Sequence, residues 1–345
     1  MKISQFKISS KSPFYVAEIS GNHAGKYQLL EKTILAAIQS GASAVKLQSY
    51  SPDDLTINSK KKDFQIKGAK NKWNKQYLYD LYLKGQTPVN WLKKIFNFCE
   101  KRKIICFASP FSVSSVAELE KFNCPAYKVA SLEINNIPLL KAIAKTKKPV
   151  IISTGGSTID EIKDVIKYFN NNKNFALLKC TVNYPANLDE LNLNTIKDLK
   201  KRFKNIEIGY SDHTIGDVAA ITAVSFGASI IEKHFILNKK INSIDDFFSS
   251  DPKEMKTLIK RCNQSILSAG TIFYGPTKSE KKSIKYRRSI YVCKKIDEGE
   301  KITKFNIRLA RPANSLDPKY YYKILGKVSK KKLDIGSRVS LKFLK

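Results

Sequence analysis

The chain contains three histidines, and each lies at or just after a short apolar run that predicts a β-strand. His213 and His234 lie at or just after the ends of two consecutive runs. In a parallel barrel they would therefore be neighbours at the carboxyl ends of adjacent strands. Neutral imidazoles suit a divalent transition ion, although two histidines specify no particular metal. We therefore predict that His213 and His234 bind a divalent ion, with Glu18 or water available to complete its coordination.

Four lysines interrupt strand-like runs that are otherwise apolar: Lys46, Lys128, Lys179 and Lys233. A charged side chain in such a run is costly unless it is paired or used. One such lysine can be explained by a structural ion pair, but four are harder to explain in that way. Together with hydroxyl groups at strand ends and a glycine-rich turn, they predict a pocket for a phosphate and a carboxylate.

These side chains need a scaffold that brings strand ends together. The predicted strands are Phe14–Ile19, Ala44–Ser49, Ile104–Ser109, Ala126–Ser131, Val150–Thr154, Phe175–Thr181, Ile206–Tyr210 and Ser229–Phe235. The predicted helices cover residues 27–40, 89–102, 113–122, 137–146, 158–171, 192–203, 215–226 and 252–268. Eight strand–helix units predict the fold class α/β, a (β/α)8 TIM barrel rather than an open sheet. No G-x-G-x-x-G sequence follows the first strand, which disfavours a dinucleotide-binding fold.

Two segments depart from the repeating pattern. Residues 50–88 are long for a connection and carry Trp73 and several tyrosines, so we expect a partial lid over the catalytic face. The barrel pattern ends near Gly270, and a short-period β pattern begins near residue 286. The sequence therefore predicts a barrel over 1–270, a linker over 271–285 and a small β-rich domain over 286–345.

Composition limits the possible function classes. The formal charge is +32, but the basic residues are spread along the chain without a recognised nucleic-acid motif, so attraction of anionic substrates is the better interpretation. The six cysteines form no C-x-x-C pair and predict reduced, buried thiols. No apolar run is long enough for a membrane span and the first twelve residues lack a signal-peptide core, so we expect a cytoplasmic protein with no membrane partner.

Six motifs in order resemble the sialic acid synthase family. They are Ala17–His23 (AEISGNH), Ala44–Gln48 (AVKLQ), Tyr127–Ser131 (YKVAS), Ile152–Gly155 (ISTG), Tyr210–Thr214 (YSDHT) and Glu232–Phe235 (EKHF). The C-terminal segment, with Arg311-Pro312 and Leu325-Gly326-Lys327, is similar to that family's antifreeze-like (SAF) domain. Trp73, Leu78–Tyr82, Thr87-Pro88 and Trp91 are similar to the pseudaminic acid synthase branch.

The resemblance implies condensation of phosphoenolpyruvate with an open-chain amino sugar, here 2,4-diacetamido-2,4,6-trideoxy-L-altrose, to give pseudaminic acid and phosphate. It implies a divalent ion, Mn²⁺ before Mg²⁺ or Co²⁺, and a homodimer whose small domain reaches the partner's active site. It assigns the ion to His213 and His234, proton transfer to Glu18, and only a supporting role to His23. Phosphoenolpyruvate would bind Lys46, Lys128, Ser131, Ser153 and Ser211, and the sugar would bind Tyr184, Asp245 and Arg311.

The chain departs from the family pattern in three places. Asn242-Ser243-Ile244 stands where the family has Gly-Pro before the aspartate, Asn238-Lys239 replaces Asp-Arg, and Ala313 replaces a glycine. The first departure leaves the role of Asp245 and the shape of the sugar pocket open.

Three alternatives stay open at this level. The nearest is the same chemistry on an N-acetylmannosamine-type sugar, giving N-acetylneuraminate or legionaminate. The next is an aldol-type barrel enzyme for a phosphorylated aldose, which would need further basic residues where residues 73–82 are aromatic. The third is a basic protein that binds nucleic acid.

Overall fold

The computed structural model describes residues 1–169, 172 and 174–345, so the last two residues of the helix predicted over 158–171 lie outside the described residues. The chain forms two compact units, Met1–Gly270 and Thr271–Lys345. Each unit has its own hydrophobic core.

The first unit is a closed barrel of eight parallel strands in the order β10-β3-β4-β5-β6-β7-β8-β9. A short hairpin of β1 (Lys2–Ile3) and β2 (Phe6–Lys7) precedes it. The barrel strands are β3 (Phe14–Glu18), β4 (Ala44–Ser49), β5 (Cys106–Pro110), β6 (Tyr127–Val129), β7 (Val150–Ser153), β8 (Phe175–Cys180), β9 (Glu207–Asp212) and β10 (Ile230–His234). These strands are buried almost throughout, because the barrel core covers one face and the helices cover the other. The predicted fold class is confirmed.

Helices follow the strands and pack their apolar stripes on the barrel. The helices of this unit are α1 (Tyr27–Gln39), α2 (Pro52–Leu55), α3 (Leu78–Gly85), α4 (Val89–Lys101), α5 (Val113–Glu120), α6 (Ile137–Lys145), α7 (Ile159–Tyr168), α8 (Asn194–Arg202), α9 (Val218–Ser225) and α10 (Pro252–Ala269). In α4, Leu92, Ile95, Phe96 and Cys99 are buried at the spacing of one helix face. The Thr158–Glu161 capping box satisfies backbone N–H groups at the start of α7.

The connection after β4 is not a plain loop. It contains the two short helices α2 and α3, and the ring of Tyr50 packs edge-on against Tyr82 at 6.0 Å and Phe111 at 5.3 Å. The ring of Tyr50 therefore joins α3 of this segment to Phe111, the residue after β5.

The second unit contains a two-stranded antiparallel sheet of β11 (Ser289–Val292) and β12 (Ile307–Ala310), and the short helix α11 (Tyr321–Ile324). Isolated bridges, such as Tyr291 with Arg338, extend the pairing around a core of Ile290, Ile302 and Ile324. In the described parts of both units, no helix is long and apolar enough to span a membrane.

Candidate active site

Four charged side chains, Glu18, Lys46, Lys128 and Glu232, meet inside the barrel, and we call them the inner cluster. Lys46 Nζ forms an ion pair with Glu18 Oε2 and lies 3.8 Å from Glu232 Oε1. Lys128 Nζ lies 3.5 Å from the same Glu232 oxygen. None of the four is more than 4% exposed, so their charges interact in a site from which water is largely excluded.

The alternation of side chains along the strands explains why these residues meet. Glu18 ends β3 and is in register with Lys46 on β4 and with His234 on β10. Gln48, two residues beyond Lys46, shares its face and donates from Nε2 to Glu18 Oε1 at 3.1 Å. Glu232 stands two residues before His234 and faces the same way. The local β pattern therefore delivers each group to the barrel interior.

The inner cluster shifts the pKa of three of its members. Burial alone would lower the pKa of Lys46, but Glu18 and Glu232 raise it above the ordinary value. At Lys128 burial prevails, and its pKa is lowered in spite of Glu232. Burial would raise the pKa of Glu232, yet Lys128 and Lys46 lower it to about 2. The Glu232 carboxylate is therefore ionised at neutral pH and balances the lysine charges.

A ring of serine hydroxyls borders the inner cluster. Lys46 Nζ donates to Ser109 Oγ at 3.1 Å, and Lys128 Nζ donates to Ser153 Oγ at 2.7 Å. Ser211 Oγ donates to Glu232 Oε1 at 3.2 Å. These hydroxyls come from three different strands, so a small anion in their midst would meet donors from several directions.

Ser131 joins this ring through the turn that follows β7. Its Oγ accepts a hydrogen bond from Gly155 N at 3.1 Å, which leaves the hydroxyl hydrogen free to donate elsewhere. A Cβ at position 155 would lie 2.9 Å from Ser131 Oγ and would also overlap the Val182 side chain. The close approach of this turn to Ser131 therefore requires glycine at position 155.

His213 and His234 lie side by side, with ring centroids 5.6 Å apart. His213 Nδ1 is 2.9 Å from the carbonyl oxygen of Thr181, and because a carbonyl can only accept, Nδ1 carries a proton and Nε2 of the neutral ring would be the atom available to a metal. His234 Nδ1 faces Asp245 Oδ2 at 3.4 Å. Backbone carbonyls and carboxylates orient metal-binding histidines in this way, so the two Nε2 atoms fit a divalent ion.

Two histidines do not fill a coordination sphere. Within the residues that the structure describes, no group of three or more His, Cys, Asp or Glu side chains has the arrangement of a metal site. Water or substrate oxygens would therefore supply the other ligands, and such open positions are typical of catalytic rather than structural ions.

An aromatic wall covers the two histidines. The ring of Tyr184 stacks on His213 at 4.2 Å and meets Phe248 at 5.2 Å and Trp73 at 5.3 Å. Trp73 comes from the connection after β4, so that connection reaches the site as the sequence predicts for a partial lid. The wall gives one side of the site an apolar surface beside polar groups, which suits a ligand that carries both apolar and polar substituents.

Buried polar atoms without partners mark the same region. In the described part of the chain, five buried side-chain atoms make no hydrogen bond: Glu18 Oε2, Ser157 Oγ, Thr181 Oγ1, Glu232 Oε2 and His234 Nδ1. Glu18 Oε2 is paired with Lys46 by charge, and the other atoms also belong to strand ends or to the loops that follow them. A buried polar group without a partner is costly, so this concentration points to a ligand that completes the site.

Two of the four predicted phosphate-pocket lysines lie elsewhere. Lys179 is half-buried, and its Nζ donates to the carbonyl oxygen of Cys180 at 2.9 Å. Lys233 forms an ion pair with Asp212 at 2.7 Å. Each lysine is next to a residue whose side chain points into the barrel, Cys180 in β8 and Glu232 in β10. Because side chains alternate along a strand, the two lysines point the other way. The prediction that all four lysines converge is therefore wrong for these two.

His23 and Arg311 also lie outside the group of contacts described above. His23 is fully buried, accepts from the backbone N–H of Gly25 at 3.1 Å and packs edge-on against Trp91 at 5.5 Å. Arg311 belongs to the second unit and is exposed, directly before Pro312. The remaining predicted site residues of the first unit lie at the carboxyl-end face of the barrel.

Sequence reasoning gave no role to Glu232, Gln48 or Tyr50. Glu232 is the acceptor shared by both inner lysines, and the two-residue spacing from His234 was the signal that could have found it. Tyr50 is buried. Burial raises the pKa of its hydroxyl, and the charge of Asp245 raises it further. No local pattern pointed to Tyr50, because its neighbours come from distant parts of the chain.

Comparison with known proteins places this geometry in a family. The NeuB family model matches residues 33–273, and the SAF domain model matches residues 287–344. The pseudaminic acid synthase of Campylobacter jejuni subsp. jejuni serotype O:2 is 41% identical over 341 residues, which cover 97% of each chain. The N,N'-diacetyllegionaminic acid synthase of the same organism is 35% identical, over 93% of this chain and 97% of that protein.

A solved structure agrees with these matches. The N-acetylneuraminic acid synthetase of Leptospira borgpetersenii serovar Hardjo-bovis, in complex with citrate, superposes with a TM-score of 0.72 at 29% identity, over 82% of this chain and 94% of that chain. The chain therefore belongs to the NeuB family of sialic acid synthase-type enzymes, with a SAF domain at its C-terminal end.

Proposed function

We propose that this enzyme condenses phosphoenolpyruvate with open-chain 2,4-diacetamido-2,4,6-trideoxy-L-altrose to give pseudaminic acid and phosphate. The observation that carries the proposal is the buried inner cluster, in which Lys46 and Lys128 share Glu232 close to His213 and His234 and in which Glu232 Oε2 has no hydrogen-bond partner. The choice of sugar rests on the higher identity to the pseudaminic acid synthase than to the legionaminic acid synthase of one organism.

Phosphoenolpyruvate carries a phosphate and a carboxylate, and the inner cluster offers matching groups. Lys46 and Lys128 supply two buried ammonium groups. The hydroxyls of Ser131, Ser153 and Ser211 supply donors around them, and a bound anion would take over the hydrogen bonds that the lysines now give to serines. The lysines would also offset the charge that develops as phosphate departs.

The proposed reaction forms one C–C bond and breaks the C–O bond to phosphate. Carbon three of phosphoenolpyruvate attacks the aldehyde carbon of the sugar and forms the new C–C bond. Water adds to carbon two, and phosphate leaves with cleavage of its C–O bond. Glu18, held between Lys46 and Gln48, orients that water or takes its proton, and the aldehyde oxygen gains a proton from solvent to become a hydroxyl group.

His213 and His234 would hold a divalent ion, which we propose to be manganese before magnesium or cobalt. When bound, such an ion supplies Lewis-acid polarisation of the aldehyde oxygen. The Thr181 carbonyl holds the His213 ring by a hydrogen bond, and the Asp245 carboxylate lies 3.4 Å from His234 Nδ1. Replacing His234 with Ala should abolish phosphate release that depends on added metal. Full activity of the chelated His234→Ala enzyme would contradict the metal role.

Tyr184 and Asp245 would contact the sugar, since the tyrosine ring stacks on His213 and the carboxylate faces His234. We further propose a cytoplasmic homodimer in which residues 271–285 act as a linker and Arg311 of the SAF domain reaches the sugar in the partner's site. The aromatic wall disfavours a phosphorylated aldose, which would require further cations there.

One assay tests the proposal against its alternatives. Phosphate released from phosphoenolpyruvate is measured with the altrose derivative, N-acetylmannosamine and the legionaminate precursor sugar, each with and without manganese. We expect the highest kcat/KM with the altrose derivative and manganese. A preference for either other sugar would support the second candidate, an N-acetylneuraminate or legionaminate synthase. A lack of release with all three, together with a salt-dependent shift of nucleic acid in a gel, would favour the nucleic-acid alternative.

A further inference from the structure

We propose that Ile244 is a positioning residue: its side chain wedges between Gly21 and Gly85 and so sets the sugar end of the active site. The inference rests on the proposed function for the identity of the substrate, but the wedge itself is a feature of the packing. Ile244 belongs to the segment in which this chain departs from the family pattern, the residues just before Asp245.

Three segments distant in sequence meet at this point. Gly21 lies in the turn after β3, Gly85 ends α3 in the long connection, and Ile244 lies in the loop between β10 and α10. A Cβ placed on Gly21 would lie 2.7 Å from Ile244 Cδ1, and a Cβ on Gly85 would overlap the same atom. Neither glycine has a positive φ, so the requirement for glycine is the space that Ile244 occupies.

The backbone of Ile244 connects the wedge to the aromatic wall. Its carbonyl oxygen accepts a hydrogen bond from Trp73 Nε1 at 2.7 Å. Trp73 in turn packs against Tyr184, the ring that stacks on His213. A shift of Ile244 would therefore move Trp73 relative to the ring that we assign to the sugar.

The residue after the wedge is Asp245, whose carboxylate faces His234 Nδ1. Before the wedge, Ser243 Oγ donates to Asn22 Oδ1 at 2.6 Å. After it, the Asp246 carboxylate pairs with Lys72 Nζ at 2.6 Å. These contacts hold the loop at both flanks. The Ile244 side chain then fixes how deep the loop sits against the turn after β3 and the end of α3.

Shortening Ile244 should have different effects on alanine substitutions at the two glycines. An alanine methyl at position 85 would collide mainly with Ile244 Cδ1, while Tyr50 Oη at 3.0 Å needs only a small shift. An alanine methyl at position 21 would collide with Ile244 and also with Gly85 Cα at 2.9 Å, which is backbone. Shortening Ile244 should therefore relieve the first collision and not the second.

The experiment is a double-mutant cycle on the full-length enzyme. Gly85→Ala should raise KM for the sugar roughly ten- to hundredfold, because it displaces groups that orient the sugar, while KM for phosphoenolpyruvate stays within about twofold. Adding Ile244→Ala to Gly85→Ala should restore most of the sugar KM, because the methyl at position 85 then occupies the space that the Ile244 side chain has left, but adding it to Gly21→Ala should not. The matched control is Ile57→Ala in the same connection, since Ile57 is 66% exposed.

A second readout does not need turnover. The chain has two tryptophans, so a Trp91→Phe background leaves Trp73 as the only indole. Gly85→Ala should shift Trp73 fluorescence, and the added Ile244→Ala should reverse the shift. If wild-type enzyme releases phosphate with none of the sugars, the proposed function fails. Fluorescence and the additivity of the unfolding free energies still test whether Ile244 and Gly85 are coupled.

Two results would overturn the inference. Additive effects of Gly85→Ala and Ile244→Ala on fluorescence and stability would show that the two residues are not coupled. Coupled stability with an unchanged sugar KM in an active enzyme would show that the wedge only stabilises the fold and does not position the sugar.

Discussion

Strand β10 contributes neighbouring residues, Glu232 and Lys233, to two different buried ion-pair clusters. The inner cluster lies inside the barrel and includes Glu232. The outer cluster, which we define as Tyr210, Asp212, Thr214 and Lys233, faces the helices. Burial raises the pKa of the Cys262 thiol of α10 to about 12, with Asp217 and Asp212 raising it further and Lys233 opposing them. Both clusters are almost completely buried and contain the same kinds of charged groups.

The two clusters differ in how completely their charges are paired. Lys233 Nζ lies 2.7 Å from both Asp212 Oδ2 and the carbonyl oxygen of Thr214. Asp212 Oδ1 accepts from Thr214 N at 2.9 Å and from Thr214 Oγ1 at 2.8 Å. In the inner cluster Glu232 meets its lysines at longer distances, and its Oε2 has no hydrogen-bond partner. The difference teaches that a saturated network serves the fold, whereas an unsaturated one is prepared for a ligand.

The largest expected effect comes from the inner cluster. Lys128→Met should lower kcat/KM for phosphoenolpyruvate by about 10²–10³, because it removes a buried positive charge from the proposed anion site. The free energy of unfolding should fall by less than in the outer-cluster variant below, since Glu232 keeps Lys46 as a partner and burial already disfavours the charged form of Lys128. Kinetics and urea denaturation of the same preparation test both statements. A large drop in stability with unaltered kinetics would reverse the comparison.

The outer cluster should respond in the opposite way. Lys233→Met leaves the Asp212 carboxylate buried without its cation, which costs about 3–5 kcal/mol of unfolding free energy. The folded fraction should keep a kcat/KM near wild type, because these side chains face the helices. Combining Lys233→Met with Asp212→Asn should recover part of the stability, as measured by denaturant unfolding. If Lys233→Met abolished catalysis while remaining as stable as wild type, the outer cluster would belong to the active site.

The sequence was sufficient for the barrel because its strand signals are local. The predicted runs Phe14–Ile19 and Ala44–Ser49 became strands with ends shifted by at most one residue, whereas the run Ala126–Ser131 became a strand that ends two residues earlier. His213 and His234 were correctly expected to be neighbours, since consecutive barrel strands are adjacent. Both results depend on periodicity and connectivity, which a single chain displays directly.

Side-chain direction and long-range packing were harder to predict. Lys233 was grouped with Lys46 because composition alone ignores the alternation of faces, although its neighbour Glu232 carried the signal. The contact of Ile244 with Gly21 and Gly85 joins segments more than fifty residues apart in sequence, and no local pattern encodes it. Such contacts depend on how loops settle on a finished barrel, which only the three-dimensional structure reveals.

The smallest expected effect concerns His23, which lies near Glu18 in sequence. Like the outer cluster, its ring makes its contacts away from the inner cluster. Burial lowers the pKa of His23 to about 4, so the folded state holds the neutral ring while the unfolded chain titrates near 6.5. Its contribution to stability is therefore complete above about pH 6.5 and is lost as the pH falls toward 4, by up to about 3 kcal/mol. His23→Gln should flatten this part of the stability profile, measured by urea unfolding at several pH values, and should leave KM for phosphoenolpyruvate nearly unchanged. An unaltered slope in the variant would mean that other groups cause the acid sensitivity, and a large change in KM would place His23 with the inner cluster.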